Sequence, residues 1–239
     1  MSIDVHKLDV LIFAAHPDDA ELACAGTIAL HVAKGYKVGI VDLTAGELGT
    51  RGSAELRMKE AAQSASLLKL SARECLGLAD GFFENEKITL DKIIVAIRKY
   101  KPTIVIANAQ QDRHPDHGRG GDLVVRACFL SGLSKINTPD QIAWRPQYVY
   151  RYIQDRYIKP DFIVDISDYW DIKVASIKAF SSQFYDPNNT EPDTYISSNL
   201  FMEFVEARAL EFGHVGGFKY GEGFTVEKTM VIGDLFDLH

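Results

Sequence analysis

Short apolar runs alternate with longer amphipathic stretches through the first half of the chain. Each apolar run is long enough for a buried strand, and each amphipathic stretch has the spacing of a helix with one apolar face. The predicted strands cover residues 9–15, 37–43, 74–78 and 103–108, and the predicted helices cover residues 20–34, 54–70, 90–100 and 118–131. This order predicts right-handed crossovers and an α/β fold, a Rossmann-like, mostly parallel sheet with helices on both faces.

The pattern becomes less regular in the second half of the chain. The predicted strands there cover residues 148–153 and 161–166, and the predicted helices cover residues 168–184 and 199–212. A turn-rich segment, residues 185–198, separates the two helices, and a loop of this length usually gates a site or makes a subunit contact. The sequence leaves both roles open. The last apolar run, residues 229–232, predicts a final strand after a glycine-rich stretch that we expect to be irregular.

The composition and the net charge argue against several classes of protein. The 239 residues are 46% hydrophobic and carry a net charge of −7, which argues against a protein that neutralises nucleic-acid phosphates. No apolar run approaches the roughly 20 residues that span a bilayer, so we expect no membrane segment. The start of the chain lacks the apolar core of a signal peptide, and we expect a cytoplasmic location. The three cysteines have no CxxC spacing and are expected to be buried thiols.

Two four-residue clusters, residues 16–19 and 114–117, hold the candidate chemistry. The first reads His-Pro-Asp-Asp and follows the first predicted strand, and the second reads His-Pro-Asp-His and follows the strand over residues 103–108. The carboxyl ends of parallel strands lie along one edge of a sheet, so the two clusters can converge there. Imidazole and carboxylate groups together suit zinc or a similar divalent cation. The clusters therefore predict a hydrolytic metal site.

Three residues of these clusters are predicted metal ligands: His16, Asp19 and His117. A catalytic zinc ion commonly takes three protein ligands and keeps a fourth position for water. His16 and Asp19 lie three residues apart across a strand-to-helix turn, where a tight bend directs both inward. Two alternatives stay open. An aspartate at this position can cap the following helix, and histidines of a His-Pro-Asp turn can be exposed loop residues.

The other polar residues of the clusters are candidates for proton transfer and charge stabilisation. Asp18 is adjacent to a predicted ligand, so it is placed to take a proton from a water molecule that the metal activates. His114 is predicted to stabilise the oxyanion that forms when hydroxide attacks an amide carbonyl. Asp116 is predicted to orient and charge the His114 ring, as the carboxylate of a catalytic triad does.

Four arginines lie in or beside the loops of the predicted edge: Arg51, Arg57, Arg113 and Arg151. Arg57 is one turn into the helix that follows a glycine-rich loop, so it can point over the site. Each arginine could instead form a surface ion pair, whereas several of them around one pocket would indicate an oxygen-rich or anionic substrate. His214, in a glycine-rich stretch, is a further candidate for the pocket wall.

The first cluster and its neighbours, residues 15–21, together with residues 114–117, resemble the motifs of the zinc-dependent de-N-acetylases of the PIG-L/LmbE-like family. A dinucleotide-binding glycine motif and a Walker A motif are absent from the sequence. The likeness extends over the whole chain, including the loop at residues 46–52 and the Tyr-Gly-Glu-Gly-Phe tail at residues 220–224. Within the family, the chain is most similar to the bacillithiol biosynthesis deacetylases, which remove acetate from N-acetylglucosaminyl malate. Some members also act on N-acetylglucosamine or its oligomers.

The resemblance implies a single deacetylase domain over residues 1–239 that binds Zn²⁺, with Fe²⁺ or another divalent metal as the alternative. It implies the ligands and catalytic residues named above, and it implies that Arg57 contacts the acetate side of the pocket. The expected partners are a small N-acetylated sugar, N-acetylglucosaminyl malate first, and further copies of this chain in a homo-oligomer, a trimer or hexamer. Deacetylation of N-acetylglucosamine, chito-oligosaccharides or another acetylated small molecule is the alternative activity. A metal-dependent sugar-binding protein without turnover is the alternative of a different class.

Overall fold

A seven-stranded, mostly parallel sheet forms the centre of the residues that this computed structural model describes, 7–187 and 189–234. The strands are β1 (Val10–Ala14), β2 (Val38–Asp42), β3 (Ala72–Cys75), β4 (Ile104–Ala107), β5 (Tyr148–Tyr152), β6 (Phe162–Asp165) and β7 (Gly221–Val226). Their order across the sheet is β3-β2-β1-β4-β5-β7-β6. The first five strands in this order are parallel, and β7 runs antiparallel to β5 and β6. The predicted fold class is confirmed.

Helices cover both faces of the sheet, as predicted. They are α1 (Asp19–Ala33), α2 (Ala54–Leu67), α3 (Lys87–Tyr100), α4 (Pro115–Leu130), α5 (Trp170–Lys178) and α6 (Phe201–Gly216). Successive residues of β1 point to opposite faces. Phe13 packs with apolar side chains of α3 and α4, and Ile12 packs with those of α1. Because both faces of β1 are covered, its sequence is apolar at every position, which is typical of a central parallel strand.

Two short-range signals in the sequence place helix ends correctly. Ser53 precedes α2, and its hydroxyl accepts a hydrogen bond from the backbone N–H of Leu56 at 3.2 Å. Gly35 follows α1 with φ of 88°, a left-handed conformation that glycine adopts without strain.

Pro115 is the first residue of α4, where its missing N–H costs no helical hydrogen bond. That helix therefore begins three residues earlier than predicted.

Two predictions for the second half are wrong. Residues 229–232 lie outside the sheet, and the last strand in the described part of the chain is instead β7, in the stretch predicted to be irregular. A Cβ atom on Gly221 would lie 2.7 Å from Cγ2 of Ile163, and one on Gly223 would lie 2.8 Å from Cε2 of Phe212. The glycines thus allow close packing of β7 and are not a sign of irregular backbone. The predicted helix over 168–184 also ends early, because α5 stops at Lys178.

The sheet edge with the predicted chemistry is formed by the carboxyl ends of β1 to β5. The loops after these strands carry both clusters, and they also carry polar residues that the next subsection describes. Among the helices in the described part of the chain, none is both long and apolar enough to cross a membrane. The limits of the predicted domain, residues 1 and 239, lie outside the described residues, so that prediction stays untested.

Candidate metal centre

The first cluster forms a strained turn between β1 and α1. Asp18 has φ of 119°, a left-handed conformation that costs a non-glycine residue about 1–3 kcal/mol and is found mainly at functional sites. The backbone N–H of His16 donates to Oδ2 of Asp19 at 2.9 Å, which closes the turn. The Asp18 side chain does not cap α1 but accepts a hydrogen bond from Arg57 at 2.9 Å. The helix-capping alternative therefore does not explain Asp18.

Asp19 lies between two histidines at the predicted edge of the sheet. Its Oδ1 is 3.1 Å from Nε2 of His117, and its Oδ2 is 3.6 Å from Nδ1 of His16. The same carboxylate accepts hydrogen bonds from Nε2 of Gln154 at 2.8 Å and Nδ2 of Asn108 at 3.2 Å. The two clusters therefore meet, and one buried carboxylate is held in place by amides from the ends of β4 and β5.

Asp112 fixes the orientation of the His117 ring. Nδ1 of His117 is 2.7 Å from Oδ2 of Asp112, so Nδ1 is the donor and Nε2 faces Asp19. Such a carboxylate–histidine contact is the usual way in which a metal-binding imidazole is oriented. Burial alone would lower the pKa of His117, but the charges of Asp19 and Asp112 outweigh it and raise the pKa to about 9. A cation, either a proton or a metal ion, is therefore stabilised at Nε2.

His16 has three carboxylates around its ring. Its Nε2 is 2.9 Å from Oδ1 of Asp80 and 3.5 Å from Oδ2 of Asp116, and Asp19 lies on the Nδ1 side. Burial opposes a charged ring, but these hydrogen bonds raise the pKa of His16 well above its usual value. Burial also opposes ionisation of Asp80, and the contact with His16 nevertheless lowers its pKa to about 2. This pocket of negative charge is suited to a cation.

His114 is the N-cap of α4, and that position fixes its tautomer. Its Nδ1 accepts a hydrogen bond from the backbone N–H of Asp116 at 3.2 Å. Burial and the neighbouring His16 and His117 rings lower the pKa of His114, so its ring is neutral near pH 7. With Nδ1 an acceptor, the proton is on Nε2, and His114 is a hydrogen-bond donor toward the cavity.

The Asp116 carboxylate does not make the predicted orienting contact with His114, although its charge opposes the lowering of the His114 pKa. Its Oδ2 accepts from the backbone N–H of Gly81 at 2.8 Å, and its Oδ1 accepts from Arg119 at 3.0 Å. The carboxylate therefore points toward the loop after β3 and toward His16, and the backbone N–H of Asp116 is the group that orients His114. The reason is geometric: a residue at the start of a helix directs its N–H toward the N-cap side chain.

Several nitrogen and oxygen atoms converge closely enough to hold one metal ion. One nitrogen from each of His16, His114 and His117 lies within 4.8 Å of the others, and the same is true of donor atoms from His16, Asp80 and Asp116. Asp19 reaches both imidazoles, because its Oδ1 is 3.1 Å from Nε2 of His117 and its Oδ2 is 3.6 Å from Nδ1 of His16. The donor set, imidazole with carboxylate, fits zinc or a similar divalent cation.

A cavity of about 230 Å³ opens beside these groups. Asp18 and Arg57 form one wall, and the Arg57 guanidinium also donates to Oε1 of Gln183 at 2.7 Å. Burial raises the pKa of Asp18 to about 6, although Arg57 opposes the shift. Gly46 makes room for Arg57, since a Cβ on Gly46 would lie 2.1 Å from the guanidinium. Arg113 and residues 194–196 line the opposite wall.

Arg51, Arg151 and His214 do not line this cavity, and for the two arginines the ion-pair alternative applies. Arg51 donates to the carbonyl of Pro192 at 2.7 Å and to Asp193 at 3.0 Å, so it attaches the segment 185–198 to the loop after β2. Arg151 forms ion pairs with acidic side chains at residues 122 and 227. His214 is exposed on α6. The two arginines, Arg51 and Arg151, therefore donate hydrogen bonds to groups of the protein itself.

Sequence reasoning missed several polar residues of the site. They are Asp80, Asn108, Asp112, Gln154, Gln183 and Tyr195. The first four lie in loops that follow β3, β4 and β5, so the strand-exit argument that selected the two clusters would also have selected them. Gln183 and Tyr195 come from the irregular region after α5, and the sequence pattern carries no comparable signal for them.

Comparisons with known proteins identify a family and several relatives. The family model described as PIG-L, GlcNAc-PI de-N-acetylase, matches residues 11–128, which include both clusters. Diacetylchitobiose deacetylase from Thermococcus kodakarensis is 29% identical over 92% of this chain and 82% of its own length. A 4-oxalmesaconate hydratase from Pseudomonas putida is 26% identical over 76% of each chain. A probable N-acetyl-α-D-glucosaminyl L-malate deacetylase from Bacillus subtilis is 27% identical over 74% of this chain and 84% of its own.

Solved structures show the same fold over nearly the whole chain. A conserved protein from Thermus thermophilus is 34% identical and has a TM-score of 0.84, with 95% of this chain and 98% of that chain covered. The N,N'-diacetylchitobiose deacetylase from Pyrococcus horikoshii is 28% identical and has a TM-score of 0.80, with 93% and 84% covered. The motifs, the site and these relatives agree, and the chain belongs to the PIG-L family of de-N-acetylases.

Proposed function

We propose that this protein is a metal-dependent N-deacetylase that hydrolyses the acetamide of an N-acetylglucosamine derivative. The observation that carries the proposal is the position of Asp18, a buried carboxylate beside converging imidazoles, in a strained backbone conformation of the kind found mainly at functional sites. A metal-binding protein without turnover has no use for such a residue. Hydrolysis of an amide needs one, because a water molecule must lose a proton as it attacks.

The proposed metal ligands are His16, Asp19 and His117. His117 is suited to this role because Asp112 holds its Nδ1 and leaves Nε2 toward Asp19. A zinc ion held there would act as a Lewis acid, which would polarise the amide carbonyl and lower the pKa of bound water. The same donor set also suits Fe²⁺, so the side chains alone do not select the metal. We propose Zn²⁺ because the sequence resembles the zinc-dependent de-N-acetylases.

Asp18 is the proposed general base. Arg57 holds Oδ2 and leaves Oδ1 for a water proton. A pKa of about 6 keeps Asp18 ionised at neutral pH, yet close enough to neutrality to return the proton. The water oxygen bonds to the carbonyl carbon, the C–N bond breaks, and the amine nitrogen takes the proton from Asp18. The products are acetate and the free amine.

His114 is the proposed oxyanion donor, and replacing it with alanine is expected to lower kcat about a hundredfold. Its Nε2–H donates toward the cavity, because Nδ1 already accepts from the backbone N–H of Asp116. Metal content, measured by atomic emission, should stay unchanged. His114→Gln, which can place an amide N–H in the same region, should retain more activity than the alanine variant. Loss of zinc in His114→Ala would make His114 a ligand and contradict this assignment.

Arg113 supports an acidic substituent on the sugar, as in N-acetylglucosaminyl malate. A second cavity of about 490 Å³ adjoins the first, and both are lined by Arg113, Gln154 and Tyr195. The Arg113 side chain is 39% exposed, it stacks on Tyr195, and its Nε is 3.7 Å from Oδ2 of Asp155. This ion pair is long, so the guanidinium has donors left for a substrate carboxylate.

The test is to incubate metal-loaded protein with N-acetylglucosaminyl malate, N-acetylglucosamine and diacetylchitobiose, and to measure acetate and primary amine with and without chelator. We expect all release to stop with chelator, and we expect kcat/KM to be highest for the malate glycoside. Arg113→Met should raise KM for the malate glycoside about tenfold, the value of one charged hydrogen bond. The change for N-acetylglucosamine should be smaller, because that sugar has no carboxylate.

Each other outcome identifies an alternative. A preference for diacetylchitobiose, with no selective effect of Arg113→Met, would assign the activity named for the Thermococcus relative. Metal-dependent sugar binding without acetate release would indicate a binding protein. If no acetylated compound is bound or cleaved, the reaction named for the Pseudomonas relative becomes the one to assay. A homo-oligomer and a cytoplasmic location stay predictions from the sequence.

A further inference from the structure

Helix α1 is interrupted five residues after it begins. Cys24 has φ of −142° and ψ of 21°, which is not helical. In a continuous helix, the N–H of Gly26 would donate to the carbonyl of Leu22. Here the N–H of Gly26 donates to Oε1 of Glu222 at 3.0 Å, and the N–H of Thr27 donates to Oε2 of Glu222 at 2.7 Å. A carboxylate from β7 therefore takes the place of helix carbonyls.

A buried lysine completes the interruption from the other side. Nζ of Lys173, on α5, donates to the carbonyl of Leu22 at 2.8 Å and to Oε1 of Glu222 at 2.6 Å. Both side chains are almost fully buried. The ion pair thus satisfies the two sets of backbone groups that the break leaves unpaired, the carbonyl before it and the N–H groups after it. It is inserted into the hydrogen-bond ladder of α1.

The interruption separates the catalytic turn from the rest of the helix. Residues 19–23 form the first segment, which carries Asp19 and follows Asp18 directly, and residues 25–33 form the second. Apolar side chains of both segments pack on the sheet, and the first segment also places Oδ1 of Asp19 3.1 Å from Nε2 of His117, in the first turn of α4. The break at Cys24 therefore sets the angle between the two segments.

We infer that the Lys173–Glu222 pair is a positioning element that directs the first segment of α1 so that Asp18 and Asp19 face the metal-binding histidines. Without the pair, Gly26 can donate to Leu22 as in an ordinary helix, and the first segment turns toward the axis of the second. Asp19 would then move relative to His117, which is held independently by Asp112 on the loop after β4. The inference rests on the proposed role of Asp19 as a ligand.

The test replaces the pair with apolar side chains of similar size, Lys173→Met with Glu222→Leu. Zinc affinity is measured by chelator competition, and kcat and KM are measured separately. We expect zinc affinity to fall about 10- to 100-fold, as for other residues that orient ligands from outside, and we expect kcat to fall with little change in KM. The Co²⁺-substituted variant should show an altered visible absorption spectrum, which reports the coordination geometry directly.

Matched variants distinguish an effect on the position of the proposed ligands from an effect on the stability of the fold. Arg98→Met removes another buried cation, which does not line the cavity and whose partners are the carbonyls of Ser131, Leu133 and Ile136 and the Thr138 hydroxyl. It should lower the melting temperature but leave zinc affinity and the Co²⁺ spectrum unchanged. Lys173→Arg, which keeps the charge and the donors, should retain most of the zinc affinity.

If the double variant does not fold, Glu222→Gln, which keeps one accepting oxygen, should give a smaller shift in the same direction. The inference is overturned if a folded Lys173→Met, Glu222→Leu variant keeps its zinc affinity. It is also overturned if Arg98→Met loses as much zinc affinity as that variant does. Because zinc affinity needs no substrate, a wrong substrate assignment would leave this test intact.

Discussion

Replacing Asp18 with asparagine is expected to lower kcat about a thousandfold, within the range that general bases contribute. Asparagine cannot take a proton from water, whereas the aspartate is ionised near pH 7 and has one oxygen held by Arg57. KM should change little, because the size and polarity of the side chain are kept. The measurement is steady-state acetate release by protein whose zinc content has been matched to that of the unsubstituted protein.

Asparagine is the informative substitution because it preserves everything except the charge. The backbone of Asp18 is left-handed, and asparagine tolerates that region better than most residues. Its amide oxygen can still accept from Arg57. Asp122→Asn is the matched control, since Asp122 is an exposed carboxylate that pairs with Arg151. Zinc content should be the same in both variants, and full turnover by Asp18→Asn would refute the role of base.

The sequence was sufficient to predict the sheet and the meeting of the two clusters. Apolar runs identified the parallel strands, and strand exits in such a sheet share an edge whatever the details of packing. His16, Asp19 and His117 therefore converge as expected. The same argument applies to Asp80 and Asp112, which are single carboxylates in loops at that edge.

Other parts of the site depend on contacts that no local pattern encodes. Whether Arg51 points into a pocket or toward the segment 185–198 is decided by carbonyls about 140 residues away, at Glu191 and Pro192. The interruption of α1 is similar. Nothing near Cys24 indicates a break, because the groups that satisfy it come from Lys173 and Glu222. Long-range partners of this kind become visible only when the chain is folded.

His114 and Asp116 show how a contact predicted for a side chain can be made by the backbone instead. The sequence placed both beside the site, and their spacing suggested a carboxylate that orients an imidazole. In the structure, the start of α4 supplies that orientation through a backbone N–H, which leaves the Asp116 carboxylate for Gly81, Arg119 and His16. His114 is neutral because burial and the neighbouring His16 and His117 rings lower its pKa, and the Asp116 charge opposes this shift only in part.

Loss of a proposed ligand should be distinguishable from loss of a residue that only orients one. Asp19→Asn is expected to weaken zinc binding by more than the 10- to 100-fold that is typical of outer residues, and to abolish turnover at micromolar zinc. The variant loses the negative charge between His16 and His117. The asparagine N–H₂ would also point at a group that donates to Asp19 in the unsubstituted protein. These donors are the backbone N–H of His16 and the side-chain amides of Asn108 and Gln154.

Asp112→Asn is the matched comparison, because it removes one carboxylate charge from the same site but leaves all three proposed ligands in place. Its effect on zinc affinity should stay within the 10- to 100-fold range, since His117 loses only the partner of its Nδ1. Turnover should return to Asp112→Asn when zinc is raised, and it should not return to Asp19→Asn. Chelator competition gives both affinities without any substrate. Equal zinc affinities in the two variants would contradict the assignment of Asp19 as a ligand. Asp19, which faces Nε2 of His117, would then contribute no more to zinc binding than Asp112, which faces Nδ1.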